Sequence, residues 1–169
     1  LAFGAIASRF LGADFSCVGI SGQGVYRNFD KSEEGTLPKV YSKLYPNEGF
    51  EKEYDFSFDP HLIVIKIGTN DFGAEMNIPP DMTDSSRFVK TYLKFLELVI
   101  QNNSDAKIVL AVGGGLTDHY PYGLKRLTRY KSWVKSVKLK AEKRYSNRFG
   151  FFEFLAQNPP YGEDWHPTV

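Results

Sequence analysis

Short stretches of this 169-residue chain carry side chains suited to polar chemistry. "YGEDWHPT" sets His166 just behind Glu163 and Asp164. An imidazole so close to carboxylates suits a general base whose second ring nitrogen is held by an acceptor, a metal ligand, or a surface side chain in a proline-rich loop. "GTNDF" offers Asn70, whose amide carries two N–H donors, followed by Asp71. "SGQG" offers Gly22, where the missing side chain lets a backbone N–H approach a ligand closely. Donors of this kind are what an acyl-transfer centre aims at a developing oxyanion, although Asn70 alone also fits an ordinary turn after a strand.

Other polar candidates are weaker. Ser21 superficially resembles a nucleophile elbow, but Gln23 stands where Gly-x-Ser-x-Gly requires glycine, so Ser21 is not assigned as a nucleophile. His61 opens a strand and reads as a surface residue, as does His119 in "TDHYPYG". A metal site built from Asp118, His119 and His166 matches no dedicated ligand spacing, and no metal or other cofactor is expected. The glycines of "GGG" at 113–115 lack the Lys-Ser/Thr of a phosphate loop and read as a strand-end turn. Cys17 is the sole cysteine, which rules out an internal disulfide or a cysteine zinc cage in this chain.

The elements that must position these residues follow from periodicity. Leu1, Phe3, Ile6, Phe10 and Leu11 have helical spacing up to Gly12. "ADFSCVGI" (13–20) then reads as a buried strand entering the "SGQG" turn. Residues 25–54 read as a long surface excursion with a short helix at "LPKVYSKLY", where Pro38 fits a first turn. "HLIVIKIG" (61–68) is the clearest strand, and its continuous apolar character predicts a parallel sheet covered on both faces. Thr83 or Asp84 caps a helix with a Phe88, Tyr92, Phe95, Leu96, Val99 stripe, which ends near Asn102 and Asn103.

"KIVLAVGGG" is a further strand, and a basic helix over about 122–146 follows, with Leu127, Tyr130, Val134, Val137, Ala141 and Tyr145 on one side. "FGFFEFL" is the last strand. The alternation predicts an α/β sheet, and each polar motif falls just beyond the carboxyl end of a strand, where such sheets bind ligands.

Composition narrows the partners. A 42% apolar, 15% aromatic chain can fill one domain core, and a formal charge of +1 gives no overall pull toward nucleic acid or anionic membrane. The local cluster of Lys125, Arg126, Arg129, Lys131, Lys135, Lys138, Lys140, Lys143 and Arg144 lies mostly opposite the apolar stripe and reads as a solvated helix face. No apolar run reaches the length of a membrane span.

Together "VGISGQGV", "IKIGTNDF" and "DWHPT" resemble, in order and separation, the second, third and fifth blocks of the SGNH, or GDSL-type, hydrolases. "SGQGVYRNF", "GTNDF" and the tryptophan before "HPT" are most similar to carbohydrate esterase family 2. The resemblance implies a flavodoxin-like three-layer α/β/α fold of strand order 2-1-3-4-5 and removal of O-acetyl groups from plant polysaccharides without a cofactor. It implies Gly22 and Asn70 as oxyanion donors, Asp71 as a supporting residue, and His166 as general base, oriented by Glu163, Asp164 or a backbone carbonyl. Trp165 and Tyr26 are the expected sugar-stacking residues, with Trp165 alternatively packing beneath the loop to fix His166. The expected partner is an acetylated polysaccharide or oligosaccharide, in an extracellular or cell-surface setting; oligomeric state is open.

The Gly-Asp-Ser block of the superfamily does not occur in residues 1–169. The resemblance therefore predicts a partial domain over 1–169, truncated at both ends, with the first, central strand and the nucleophilic serine absent from this chain. It predicts a gapped or poorly stable sheet and no turnover by the chain alone. Rival readings are a general SGNH lipase or thioesterase, a non-catalytic carbohydrate-binding module, and a nucleic-acid binder using the basic helix.

Overall fold

A computed structural model describes residues 3–44 and 52–155. The sheet within it is parallel and three-stranded, in the order β1 (Leu62–Ile65), β2 (Lys107–Val112), β3 (Phe149–Glu153). These strands occupy the places of the last three in the expected order. Helix α3 (Ser85–Asn102) connects β1 to β2, and α4 (Arg126–Glu142) connects β2 to β3. Right-handed crossovers place successive helices of such a run on the same face. Accordingly Ile65, Ile108, Leu110 and Val112 share one core with Phe88, Tyr92, Leu96 and Val99 of α3 and Tyr130, Val134 and Val137 of α4.

The predicted caps and stripes are mostly present. Asp84 accepts hydrogen bonds from the Ser86 and Arg87 N–H groups at 2.8 and 3.0 Å and starts α3. Helix α2 (Leu37–Val40) has Pro38 in its first turn, as its sequence suggests. The basic helix begins at Arg126, and two of its cations depart from the expected solvated face: Arg126 is buried, and Arg129 pairs with a buried carboxylate. The other lysines of that cluster stay at the surface or half-buried.

The first predicted strand is not one. Residues 13–20 have no regular structure, and Phe15 and Val18 are exposed. In the expected 2-1-3-4-5 order this segment has a single neighbour, the first strand, and without a ladder partner a lone strand leaves every N–H and C=O to water. On the outer side of β1 there is likewise no neighbour among the described residues, and Leu62 and Val64 are exposed. The second sheet face is therefore thinly covered: α1 (Phe3–Leu11) buries no residue and touches Phe154 beyond the end of β3 through Phe3, with ring centroids 5.1 Å apart.

The expected surface excursion also begins differently. Gly24, Val25, Tyr26 and Arg27 are buried before the chain returns to the exterior.

Candidate active site

Beyond β1 the chain passes through Ile67, Gly68 and Thr69 into a 3-10 helix, Asn70–Met76. Two contacts fix this exit. The Tyr130 hydroxyl of α4 donates to the Ile67 carbonyl at 2.9 Å. Gly68 (φ +121°) runs so close to the aromatic core that a Cβ there would lie 2.7 Å from the Phe88 ring and 2.9 Å from that of Tyr130. Only glycine fits, and Asn70 is thereby set at the end of the strand.

Asn70 and the "SGQG" turn, far apart in sequence, meet. The Asn70 Nδ2 donates one N–H to the Gln23 carbonyl at 2.8 Å, which orients the amide, and among the described residues its second N–H meets no acceptor. Gly22, next to Gln23, is half-buried; its carbonyl accepts from the Phe29 N–H at 2.9 Å, and among the described residues no acceptor takes its own N–H. The Asn70 side-chain donor is thus tied to the residue that follows Gly22.

Asp71 ties the two segments together from beneath. Its fully buried carboxylate accepts the Val25 N–H at 2.7 Å, the Tyr26 N–H at 2.9 Å and the Arg27 N–H at 3.2 Å. Burial pushes its carboxyl up to about 6, while the three N–H donors pull the other way. Gly24 allows the approach: a Cβ there would stand 1.9 Å from the Arg27 carbonyl oxygen and 2.6 Å from Asp71 Oδ2. Arg27 closes the loop by donating to the Asp71 and Asp81 carbonyls at 2.9 and 3.2 Å and pairing with the Asp81 carboxylate at 3.0 Å.

The far end of the 3-10 helix is clamped as firmly. Glu75, fully buried, accepts from the Thr83 N–H at 2.8 Å and takes a bidentate pair from Arg129 at 2.8 and 2.9 Å. Arg126 reaches the Phe72 carbonyl at 3.4 Å and the Tyr120 carbonyl at 2.8 Å. Neither the Glu75–Arg129 pair nor the role of Arg126 stands out in the sequence, because a charge in an amphipathic helix reads as solvated unless its burial is known.

Gly22, Asn70 and Asp71 lie close together. Tyr26 is not the open platform its sequence position suggests: it is 7% exposed, its hydroxyl accepts from the Asp84 N–H at 2.9 Å, and the Arg87 guanidinium lies over its ring at 4.7 Å from the centroid. No ring face is left for a sugar. His166, Glu163, Asp164 and Trp165 lie outside the described residues. His61 and His119 are exposed, and the Asp118 carboxylate is engaged by the Thr128 N–H and hydroxyl at 2.9 and 2.5 Å. Ser21 is exposed.

Comparison with known proteins adds a second line. No protein-family model matches the chain. The cellulase/esterase CelE of Acetivibrio thermocellus is 30% identical over 172 residues, covering 100% of this chain and 19% of that protein. An acetylxylan esterase / glucomannan deacetylase of Cellvibrio japonicus is 27% identical over 168 residues, covering 98% of this chain and 42% of the relative. The chain thus spans less than half the length of these relatives. Among solved structures, a family two carbohydrate esterase from Clostridium thermocellum in complex with cellohexaose superposes with a TM-score of 0.82 at 30% identity, over 97% of this chain and 47% of that one. A carbohydrate esterase family 2 enzyme plus carbohydrate binding domain from Corynascus thermopiles gives 0.83 at 27% identity, over 97% and 50%.

Proposed function

Since the chain belongs to carbohydrate esterase family 2, within the SGNH hydrolases, we propose that its protein removes O-acetyl groups from plant polysaccharides by serine-histidine acyl transfer. The observation that supports this best is the Asn70 amide, fixed on the Gln23 carbonyl by one N–H and free through the other, beside the open N–H of Gly22. A serine hydroxyl attacks the acetyl carbonyl carbon as His166 takes its proton. Gly22 and Asn70 hold the oxygen of the tetrahedral adduct, and His166 returns the proton to the departing sugar hydroxyl. Water then repeats the sequence on the acetyl-serine and releases acetate. Glu163, Asp164 or a backbone carbonyl is proposed to orient His166, and Trp165, its neighbour in sequence, to serve the sugar.

Residues 1–169 hold no Gly-Asp-Ser block. The nucleophilic serine is taken to come from chain outside them, and the 169 residues alone are expected to show no turnover. The substrate is an acetylated polysaccharide or oligosaccharide, met outside the cell or at its surface. No helix among the described residues is long and apolar enough to cross a membrane.

Acetate release by the full-length protein from acetylated xylan and glucomannan, compared with hydrolysis of medium-chain acyl esters, tests this assignment. A higher kcat/KM for an octanoyl than for an acetyl ester would overturn it in favour of a lipase or thioesterase. Binding of acetylated polysaccharide with no ester hydrolysis would favour a binding module.

A further inference from the structure

Gln23 stands between Gly22 and Gly24, and its backbone carbonyl is what holds the Asn70 amide, at 2.8 Å. Among the described residues its side chain makes one polar contact: Nε2 donates to the Gly35 carbonyl at 2.6 Å. The other end of that side-chain amide, Oε1, is buried and meets no donor among the described residues. A buried oxygen left unpaired costs free energy, so the side chain is a poor choice for stability alone. An apolar chain of the same length would fill the space without that loss. What the glutamine adds is one donor in one place.

That donor pins the turn to the start of α2. Gly35 lies just before Thr36 and Leu37, and the Leu37 N–H donates back to the Gly24 carbonyl at 3.2 Å. Helix α2 is itself seated on the core. Leu37 and, just past the helix end, Tyr41 pack against the buried cluster, and the Tyr41 ring meets Phe95 of α3 edge-on with centroids 5.3 Å apart. The rest of the turn is held through its backbone: the Gln23 N–H donates to the Ile20 carbonyl at 3.3 Å, and the Gly24 N–H donates to Asn28 Oδ1 at 3.1 Å. The Gly24 N–H and the Gln23 carbonyl belong to one planar peptide unit. Asn28 sets its N–H end, its carbonyl end faces Asn70, and the Cα from which it turns is anchored by the Gln23 side chain.

From this geometry we infer that Gln23 is a positioning residue: through the Gly35 carbonyl it fixes the peptide that orients the Asn70 amide donor. This inference rests on the proposed acyl transfer for the role of Asn70. Gln23 itself touches no substrate and acts only through Asn70. A donor stabilises the oxygen of a tetrahedral adduct most when it need not reorganise, so loosening its acceptor lowers kcat and leaves substrate binding alone.

The test uses the full-length protein carrying Gln23→Met, which keeps the chain length and loses the amide, or Gln23→Glu, which keeps the length and at neutral pH brings no donor. Each is also combined with Asn70→Ala. Steady-state kinetics on 4-nitrophenyl acetate and on acetylated xylan give kcat and KM, and urea denaturation gives the midpoint. Heteronuclear NMR reads the Asn70 side-chain amide, assigned by its loss in Asn70→Ala. Both Gln23 variants are expected to lower kcat by about five- to thirtyfold, part of the loss that follows removal of the whole donor, with KM within about twofold of wild type. Combined with Asn70→Ala, neither is expected to lower kcat further, because the group through which Gln23 acts is gone. In Gln23→Met the Asn70 amide signals are expected to shift while the urea midpoint stays near wild type.

Unchanged kcat in both variants, or an equal loss with and without Asn70, would overturn the positioning role while leaving the esterase assignment intact. A raised KM at unchanged kcat would overturn it in favour of substrate contact. Should the wild-type protein hydrolyse no acetyl ester, the deacetylase reading falls and the NMR decides alone: Asn70 signals that shift in Gln23→Met uphold the positioning role, and signals that stay in place overturn it.

Discussion

Arg129→Met is expected to cost more stability than any surface change on α4, and the size of the loss follows from what it leaves behind. Methionine keeps most of the aliphatic length but removes both donors to Glu75, at 2.8 and 2.9 Å. The Glu75 carboxylate is then fully buried with a single remaining donor, the Thr83 N–H at 2.8 Å. Breaking a buried pair from one side costs about 3–5 kcal/mol.

Urea denaturation is therefore expected to show Arg129→Met destabilised by about 3–5 kcal/mol at pH 7. Glu75→Gln combined with Arg129→Met removes the stranded charge and is expected to recover at least half of the loss at pH 7. A single-variant loss below about 1 kcal/mol at pH 7, or a double variant that recovers none of it, would refute the buried-pair argument.

Two further perturbations probe the site directly. Asn70→Ala removes the oriented amide donor and is expected to lower kcat on an acetyl ester by about 10²- to 10³-fold with little change in KM, read by steady-state kinetics. Asp71 has a folded pKa, about 6, above its unfolded value near 3.8, so its contribution to stability is complete below about pH 4 and declines as pH rises through about 6, by at most about 3 kcal/mol. Asp71→Asn cannot ionise; urea curves at pH 4.5 and 7.5 should show the wild-type advantage over this variant shrinking with pH, and an advantage that grows would reverse the assigned sign.

Much of this was legible because periodicity and motif spacing are local. The α3 stripe and its Asp84 cap, the β2 strand, and the meeting of the Gly22 and Asn70 motifs all follow from residue types read in order. The misreadings share a cause: each depended on what lay across space. Residues 13–20 have strand composition, but a strand exists only with a partner. Tyr26 has the chemistry of a sugar platform, but the Asp71 carboxylate draws its backbone inward and Asp84 takes its hydroxyl. Arg126 and Arg129 look like the rest of a basic helix face until Glu75 and two loop carbonyls are found beneath them.

The acceptor that engages the first turn of α4 comes from outside the helix. Asp118 occupies the Thr128 N–H, while Lys125, at the position where a capping side chain would stand, has a left-handed backbone (φ +47°) and makes no side-chain cap. The start of the helix and the loop that carries Asp118 therefore open as one unit: the loop cannot swing away without releasing the Thr128 amide, and the helix start cannot fray without freeing the loop. In amide hydrogen exchange the Thr128 N–H becomes a reporter of that opening.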